Sequence, residues 1–446
     1  MGRYFGTDGV RGEANKVLTA EMAYRIGQYL GSYFDKNGKG RILIGKDTRL
    51  SSDMVESALS CGITEMGGDA YLLGFTTTPC LACLVAHEDF DCGVMISASH
   101  NPYYDNGIKI FGTDGLKIKD DMEAPIEDYM DHLFELEKAQ RDNIGHIYNY
   151  QEGVDHYVDW ICEKYPSDLS SLNILLDLCN GGASFTARKI FEKLHANITV
   201  INEEPNGTNI NFGCGSTHLE SLKEGISKGH YDIGFAFDGD ADRVLALDAQ
   251  GDLIDGDKII YILACYLKSL DALKGNSVVA TVMSNIGLKK ALDRASIGYD
   301  IVSVGDKNVV EDMRLKDYMI GGEQSGHIIN SYSGYFGDGV KTALNVLEVM
   351  LVKNKSIDEL CSDVIIYPQE LLNIKVIDKN VVLKDIDINN KIAEIEKLLA
   401  SNGRILVRPS GTEPLIRVMT EAENLELCHK YNQEVIDLIK EKGYVA

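Results

Sequence analysis

Short apolar runs alternate with amphipathic helical stretches along most of the chain, and that alternation restarts twice. RILIGKD (41–47) precedes an amphipathic stretch from Ser52 to Gly67, then AYLLG (70–74), a helix-like LACLVAHE, and VMIS. Strand–helix–strand order of this kind predicts an α/β sheet with covering helices. The pattern begins again at LNILLDLCNGGA (172–183), with FTARKIFEKLHA and NITVIN behind it. It begins a third time at KIIYILACYLKSL (258–270), followed by SVVATVMS, KKALDRA and YDIVSV. Three similar α/β units are predicted, without a strict residue-level repeat. After YPQELL (367–372) the order changes to a strand NIKVID and a helix from about Asn390 to Ala400. A strand–loop–strand RILVRPSGTEPLIRVMTEAE and a last helix to Lys442 follow. This tail reads as a smaller α+β domain, so the expected domains are 1–150, 151–252, 253–366 and 367–446 around a central cleft. At 446 residues the chain is too long for a single core.

The formal net charge of -24 argues against a general nucleic-acid-binding face. An anionic substrate must therefore be met by a few clustered cations. Ten cysteines are scattered, with Cys61, Cys92 and Cys265 in apolar contexts typical of reduced core thiols. Cys80 and Cys83 form a C-x-x-C inside an apolar run with no second pair at zinc spacing, which reads as packing. The N-terminal MGRYFGTDGVRG has no apolar signal core, and Gly6 stands where a myristoylation motif needs Ser or Thr. No uninterrupted apolar stretch of about 20 residues occurs. A cytoplasmic protein is expected, with no membrane partner.

Four constellations carry candidate chemistry. In GVMISASHNPYYDNGIKIFG (93–112) a buried run ends in a polar loop bearing Ser99, His100 and, further on, Lys109. If that segment is extended, neighbouring side chains point to opposite faces, so Ser99 and His100 are not expected to form a hydrogen-bonded dyad. A G-x-S-x-G elbow is also missing. A phosphoryl-carrying serine and an ordinary Asn-Pro turn both remain open. In FDGDADR (237–243), Asp238, Asp240 and Asp242 are spaced to line one side of an extended segment. Three anions held together call for a hard cation such as Mg²⁺, the alternative being a solvated acidic turn. An EF-hand is excluded, because its sixth and twelfth positions fall on Arg243 and Ala249. VRPSGTEPLIRV (407–418) offers Arg408 and Arg417 with Ser410, Gly411 and Thr412 in a Gly-containing turn, suited to a phosphate or to a plain hairpin. In GGEQSGHIIN (321–330), Glu323 and Ser325 alternate and face a polyhydroxylated ligand or a simple turn.

In this order and spacing, the motifs resemble the α-D-phosphohexomutase superfamily over essentially the whole chain. YFGTDGVRGEAN (4–15) resembles its N-terminal motif, SASHNPYYDNGIK its phosphoserine loop, DGDADR its metal loop, GGEQSGH its sugar loop and RPSGTEPLIRV its phosphate loop. The resemblance implies that Ser99 carries a phosphoryl group and that Asp238, Asp240 and Asp242 bind one Mg²⁺ together with a phosphoserine oxygen. It implies sugar contacts from Glu323, Ser325 and His327, and from Gly305 and Asp306. It assigns the non-reacting phosphate to Arg408, Ser410, Gly411, Thr412 and Arg417. Arg11, Lys46, Arg49 and Arg243 match positive positions expected near the cleft, and Lys109 or His100 is the candidate general acid or base. Lys307 departs from the Arg expected at its position, and LDLCNGGA matches only loosely. GEQSGH, with Gln324, resembles the glucosamine branch more than the glucose and mannose branches. The implied reaction interconverts glucosamine 6-phosphate and glucosamine 1-phosphate through a 1,6-bisphosphorylated intermediate that also serves as activator, upstream of UDP-N-acetylglucosamine and cell-wall synthesis. The expected partner is a small phosphosugar, and a homodimer stays open.

Overall fold

The strand–helix alternation resolves into four sheets. The computed structural model describes residues 2–6, 8–34, 39–118, 120–165, 167–410 and 414–446. Its contacts divide the chain into two units, one of Met1–Met283 with Ile297–Cys361 and the other of Ser284–Ser296 with Ser362–Ala446.

The larger unit holds three sheets. The first contains β1 (Phe5–Gly6), β2 (Gly9–Glu13), β3 (Arg41–Lys46), β4 (Asp69–Phe75), β5 (Cys92–Ile96), β6 (Asp105–Phe111) and β7 (Ile147–Asn149), in the order β1-β2-β6-β5-β3-β4-β7. β3 is parallel to β4 and β5, whereas β6 runs antiparallel to β5 with Met95 opposite Lys109. The second sheet contains β8 (Asn173–Asp177), β9 (Asn197–Ile201), β10 (Ile233–Phe237), β11 (Val244–Asp248) and β12 (Leu253–Ile254), ordered β12-β11-β10-β8-β9. The third contains β13 (Ser277–Thr281), β14 (Gly298–Val302), β15 (Ile320–Gly322) and β16 (Ile328–Asn330), ordered β14-β13-β15-β16.

A common plan unites the three. In each, a parallel trio (β4-β3-β5, β9-β8-β10, β14-β13-β15) is extended by one antiparallel strand through a hairpin. The hairpin loops are residues 97–104, 238–243 and 323–327, which are the serine, aspartate and Gly-rich segments singled out in the sequence. Strands leading into them are buried along their whole length, as in β5, β10 and β15. Strands covered on both faces read as continuous apolar runs, which is why VMIS stands out in the sequence.

The smaller unit is α+β. β17 (Gln369–Lys375), β18 (Arg404–Pro409) and β19 (Leu415–Glu421) form an antiparallel sheet ordered β17-β19-β18. Helices Ile386–Leu399 and Leu425–Glu441 pack on it through a core that includes Ile374, Ile395, Ile416 and Val435. The first of these helices begins earlier than the predicted Asn390 because the Asp385 side chain caps it, accepting from the N–H groups of Asp387 and Ile388. Helix Ile286–Arg294 also belongs to this unit: the Ile286 N–H donates to Glu421, and the Asn285 amide to the Tyr367 carbonyl.

Cys80 and Cys83 lie buried in the helix Thr78–His87, and burial pushes both thiols well up, in line with packing. Cys61, expected inside, is exposed on its helix, and Cys265 is only partly covered. Among the described residues, no helix is long and apolar enough to cross a membrane.

Candidate active site

Ser99 follows β5 in a left-handed backbone conformation, with φ of 52°. That turn corrects the extended geometry expected from the sequence. Its Oγ donates to Asp238 Oδ2 at 2.5 Å and lies 3.3 Å from His100 Nδ1, so serine and histidine are neighbours after all. The physical reason is the positive φ, which abolishes the strand alternation at that one residue. His100 is held down to about 4 by burial, reinforced by the Arg243 and Arg11 charges, and is neutral at neutral pH.

The aspartate loop follows β10. A left-handed Ala241 folds it into a turn rather than the extended segment expected, yet the three carboxylates still converge. Asp238, Asp240 and Asp242 are all buried and offer ligand oxygens within 4.8 Å of one another. Oδ1 of Asp240 and Oδ1 of Asp242 have no hydrogen-bond partner among the described residues. Buried, clustered, orphaned carboxylate oxygens are the donor set of a hard divalent cation, so these residues fit Mg²⁺.

Part of this charge is balanced from the first sheet. Lys109, fully buried on β6, donates to Asp240 Oδ2 at 2.7 Å and to Asp242 Oδ2 at 3.3 Å. Thr78, at the first turn of the helix Thr78–His87, donates its hydroxyl to Asp240 Oδ2 as well. Burial and repulsion from Asp242 and Asp240 drive the Asp238 carboxyl up. Burial also pushes up Asp240 and Asp242, but Lys109, with Thr78 for Asp240 and His327 for Asp242, brings both below the ordinary range. Lys109 answers in kind: burial opposes its charge, but the two aspartates hold it above its ordinary value.

From Lys109 a charged network runs outward. Its ammonium is 3.2 Å from Asp8 Oδ2, and Asp8 also pairs with Arg11 and Lys117. Lys117 pairs with Asp306 at 2.6 Å. His327 lies between carboxylates, with Nδ1 3.5 Å from Asp242 and Nε2 3.9 Å from Asp306. Burial opposes its charge, but the two aspartates outweigh it and raise the imidazole above its ordinary value. Arg243 reaches toward Asp242 at 3.8 Å. Lys117, Asp242, Asp306 and His327 border a cavity of about 910 Å³. Asp8, Lys117 and Thr78 were not anticipated. Asp8 stands three residues before Arg11 in the same motif, but Lys117 reaches Asp306, and Thr78 reaches Asp240, from more than 150 residues away in sequence.

The Gly-rich loop brings Glu323 and Ser325 together: Glu323 accepts from the Gly305 N–H at 3.0 Å and from the Ser325 hydroxyl at 3.3 Å. Gln324 points elsewhere, its amide donating to Asp255 at 3.1 Å, so its side chain braces the N-cap of the helix Gly256–Ser269.

Two expected cleft cations are otherwise engaged. Lys46 pairs with Asp53 at 2.7 Å and with Glu56, on the helix Ser52–Glu65. Arg49 is completely buried, its guanidinium bonded to Asp47 and to main-chain carbonyls.

In the smaller unit Arg408 and Arg417 stand directly opposite across β18 and β19. Burial and the facing Arg417 charge push Arg408 below its ordinary value. Like charges paired in a ladder are unfavourable alone and favourable around an anion. Ser410 is buried, and its carbonyl accepts from Lys379 at 2.7 Å. Gly411 and Thr412 lie outside the described residues.

The sequence matches four patterns of one family: phosphoglucomutase/phosphomannomutase alpha/beta/alpha domain I over residues 2–137, domain II over 148–251, domain III over 255–366 and the C-terminal domain over 371–438. The chain belongs to the phosphoglucomutase/phosphomannomutase family. Curated members similar to it include the phosphoglucosamine mutase of Lachnospira eligens, 51% identical with 100% of both chains covered. The phosphoglucosamine mutase of Bacillus cytotoxicus is 46% identical, with 99% of each covered. Among solved structures, a family member from Burkholderia thailandensis superposes with a TM-score of 0.79 at 22% identity, covering 98% of this chain and 97% of that one. Aspergillus fumigatus N-acetylphosphoglucosamine mutase, solved with GlcNAc-6P and magnesium, gives 0.69 at 17% identity over 98% and 95%. At those identities the structures speak to the family fold.

Proposed function

We propose that the chain is the mutase that interconverts glucosamine 6-phosphate and glucosamine 1-phosphate, with Ser99 as the phosphoryl carrier. The observation carrying this reading is the Ser99 hydroxyl seated 2.5 Å from Asp238 inside a buried three-carboxylate cluster. A serine hydrolase has no need of that cluster, whereas a phosphoserine does. Asp238, Asp240 and Asp242 would hold Mg²⁺, which when bound neutralises charge on the transferring phosphoryl group.

The residues divide the remaining work. Ser99, phosphorylated, gives its phosphoryl group to the sugar 1-hydroxyl, and the bisphosphorylated intermediate returns its 6-phosphate to Ser99. Lys109, 2.7 Å from Asp240 Oδ2, and His100, whose Nδ1 is 3.3 Å from Ser99 Oγ, are the two candidates for moving the proton of the accepting hydroxyl. Arg243, 3.8 Å from Asp242, and Arg11, paired with Asp8 and attracted by Asp240 and Asp242, add positive charge beside the cluster. Glu323, fixed by Gly305 and Ser325, is aligned to receive sugar hydroxyls or the 2-ammonium. His327 and Asp306, paired with Asp242 and Lys117, border the cavity that Asp242 also lines and are assigned to the sugar. Arg408 and Arg417, with Ser410, Gly411 and Thr412, form the anion site for the phosphate that is not reacting.

Preference for the amino sugar is supported by full-length identity to curated phosphoglucosamine mutases. The test is kcat/KM measured side by side on glucosamine, glucose and mannose 6-phosphates. The expected result is a preference of at least tenfold for glucosamine 6-phosphate. A higher value for either other sugar would reassign the chain to that branch of the family.

A further inference from the structure

Ser99 occupies a backbone conformation that L-residues other than Asn and Asp seldom adopt, because the side chain then crowds the following carbonyl. Both of its peptide groups are specified by side chains. The Ser99 N–H donates to Ser97 Oγ at 2.9 Å, and Ser97 Oγ donates in turn to Asp47 Oδ2 at 2.6 Å. The Ser99 carbonyl accepts from Arg49 Nη2 at 2.7 Å and from Asn211 Nδ2 at 2.8 Å.

The two donors come from loops that follow strands of different sheets, Arg49 after β3 and Asn211 after β9, and each grips the loop more than once. Arg49 Nη1 also reaches the Pro102 and Asp105 carbonyls, while its Nε donates to Asp47 Oδ2 at 2.8 Å. Asn211 donates a second bond to the Asn101 carbonyl at 3.0 Å, and its own Oδ1 accepts from the Cys179 thiol at 2.9 Å. Gly239, between the first two metal-loop aspartates, closes the remaining side: a Cβ there would lie 2.6 Å from the Ser99 carbonyl oxygen. Arg49 and Asp47 side chains are both fully buried, so neither meets substrate.

We propose that Arg49, oriented by Asp47, and Asn211 are positioning residues that lock Ser99 in its left-handed conformation and so aim its hydroxyl, or the phosphoryl group it carries, at the aspartate cluster. Released from these bonds, Ser99 relaxes toward the right-handed or extended region, and its Oγ swings off the line to Asp238. A displacement of about 1 Å at a reacting atom costs on the order of 10²-fold in rate. Substrate affinity has no part in this, because the clamp touches only the loop. A lysine at 49 keeps the charge beside Asp47 and loses the planar fork that spans three carbonyls.

This inference rests on Ser99 being the phosphoryl carrier, and the experiment separates the two. Wild type, Arg49→Lys and Asn211→Leu are purified from the full chain, their phosphorylation at Ser99 measured by intact mass and peptide mapping. Steady-state kcat and KM, single-turnover transfer from the phosphoenzyme to sugar phosphate, and the ³¹P resonance of the phosphoserine are then recorded. The expected results are a fall of about 30- to 100-fold in kcat and in single-turnover rate for Arg49→Lys and about tenfold for Asn211→Leu. KM stays within threefold, the melting curve stays cooperative and the phosphoserine resonance shifts or broadens. If Arg49→Lys does not fold, Asn211→Leu carries the test from the segment after β9. Wild-type single-turnover rates in the folded variants, or losses that follow only the folded fraction, overturn the proposal. A wild-type enzyme without phosphate on Ser99 overturns the carrier reading instead.

Discussion

The serine loop and the aspartate loop close equivalent hairpins in the first and second sheets, and they are held in opposite ways. Residues 97–104 are shaped by side chains: Arg49, Ser97 and Asn211 reach the peptide groups of a residue in an uncommon conformation. Residues 238–243 are shaped by main-chain donors from their surroundings. Thr78 N–H bonds the Asp240 carbonyl at 2.9 Å, Gly182 N–H the Gly239 carbonyl at 2.8 Å, and Gly339 N–H the Ala241 carbonyl at 3.0 Å. In the second loop the side chains are left to carry charge, and Lys109 answers it. One loop depends on shape and the other on electrostatic balance. A single hydroxyl delivers its chemistry only in one direction, whereas three carboxylates around a cation tolerate small shifts so long as the charges sum correctly.

Three substitutions probe that contrast. Ser99→Ala removes the group for which the first loop is shaped and leaves its backbone braces in place. Turnover is expected to fall by about 10⁴-fold or more with an unchanged melting temperature; appreciable mutase activity in that variant would refute the carrier. Asp240→Asn subtracts one charge from the second loop without changing its shape. A loss of about 10²–10³-fold is expected, together with a weakened Mg²⁺ requirement in activity titrations and a smaller thermal stabilisation by Mg²⁺. A wild-type metal titration would show that the cluster is not the metal site. Thr78→Val removes only the hydroxyl that supports Asp240, so about a three- to tenfold loss in kcat is expected, corresponding to the net worth of one typical hydrogen bond, about 1 kcal/mol. A loss as large as that of Asp240→Asn would mean that shape governs the second loop as well.

The features legible in the sequence were those whose signal is local. Asp238, Asp240 and Asp242 fall within five residues, the apolar runs announce the buried strands, and the Ser99 loop is bounded by two of them. What escaped was set by distant partners. Arg49 looked like a free cation because Pro102 and Asp105, more than 50 residues away, accept its hydrogen bonds. Gln324 was read only as a mark of the glucosamine branch, because its bond to Asp255, 69 residues earlier, is not visible from GEQSGH. Ser99 and His100 were separated on the assumption of a regular strand, and one positive φ overturned it. The fold class needed no such contacts, since period and strand order arise within each repeating segment.

The shared hairpin plan has a consequence for how the enzyme comes into being. Each loop is tied off by two strands adjacent along the chain, so it closes with the folding of its own sheet, at a small cost in loop entropy. The bonds that join the loops to one another span 139 residues from Ser99 to Asp238 and 131 from Lys109 to Asp240. During refolding from denaturant, far-ultraviolet signal therefore returns before catalytic competence, and the lag between them measures the docking of preformed pieces rather than the making of secondary structure.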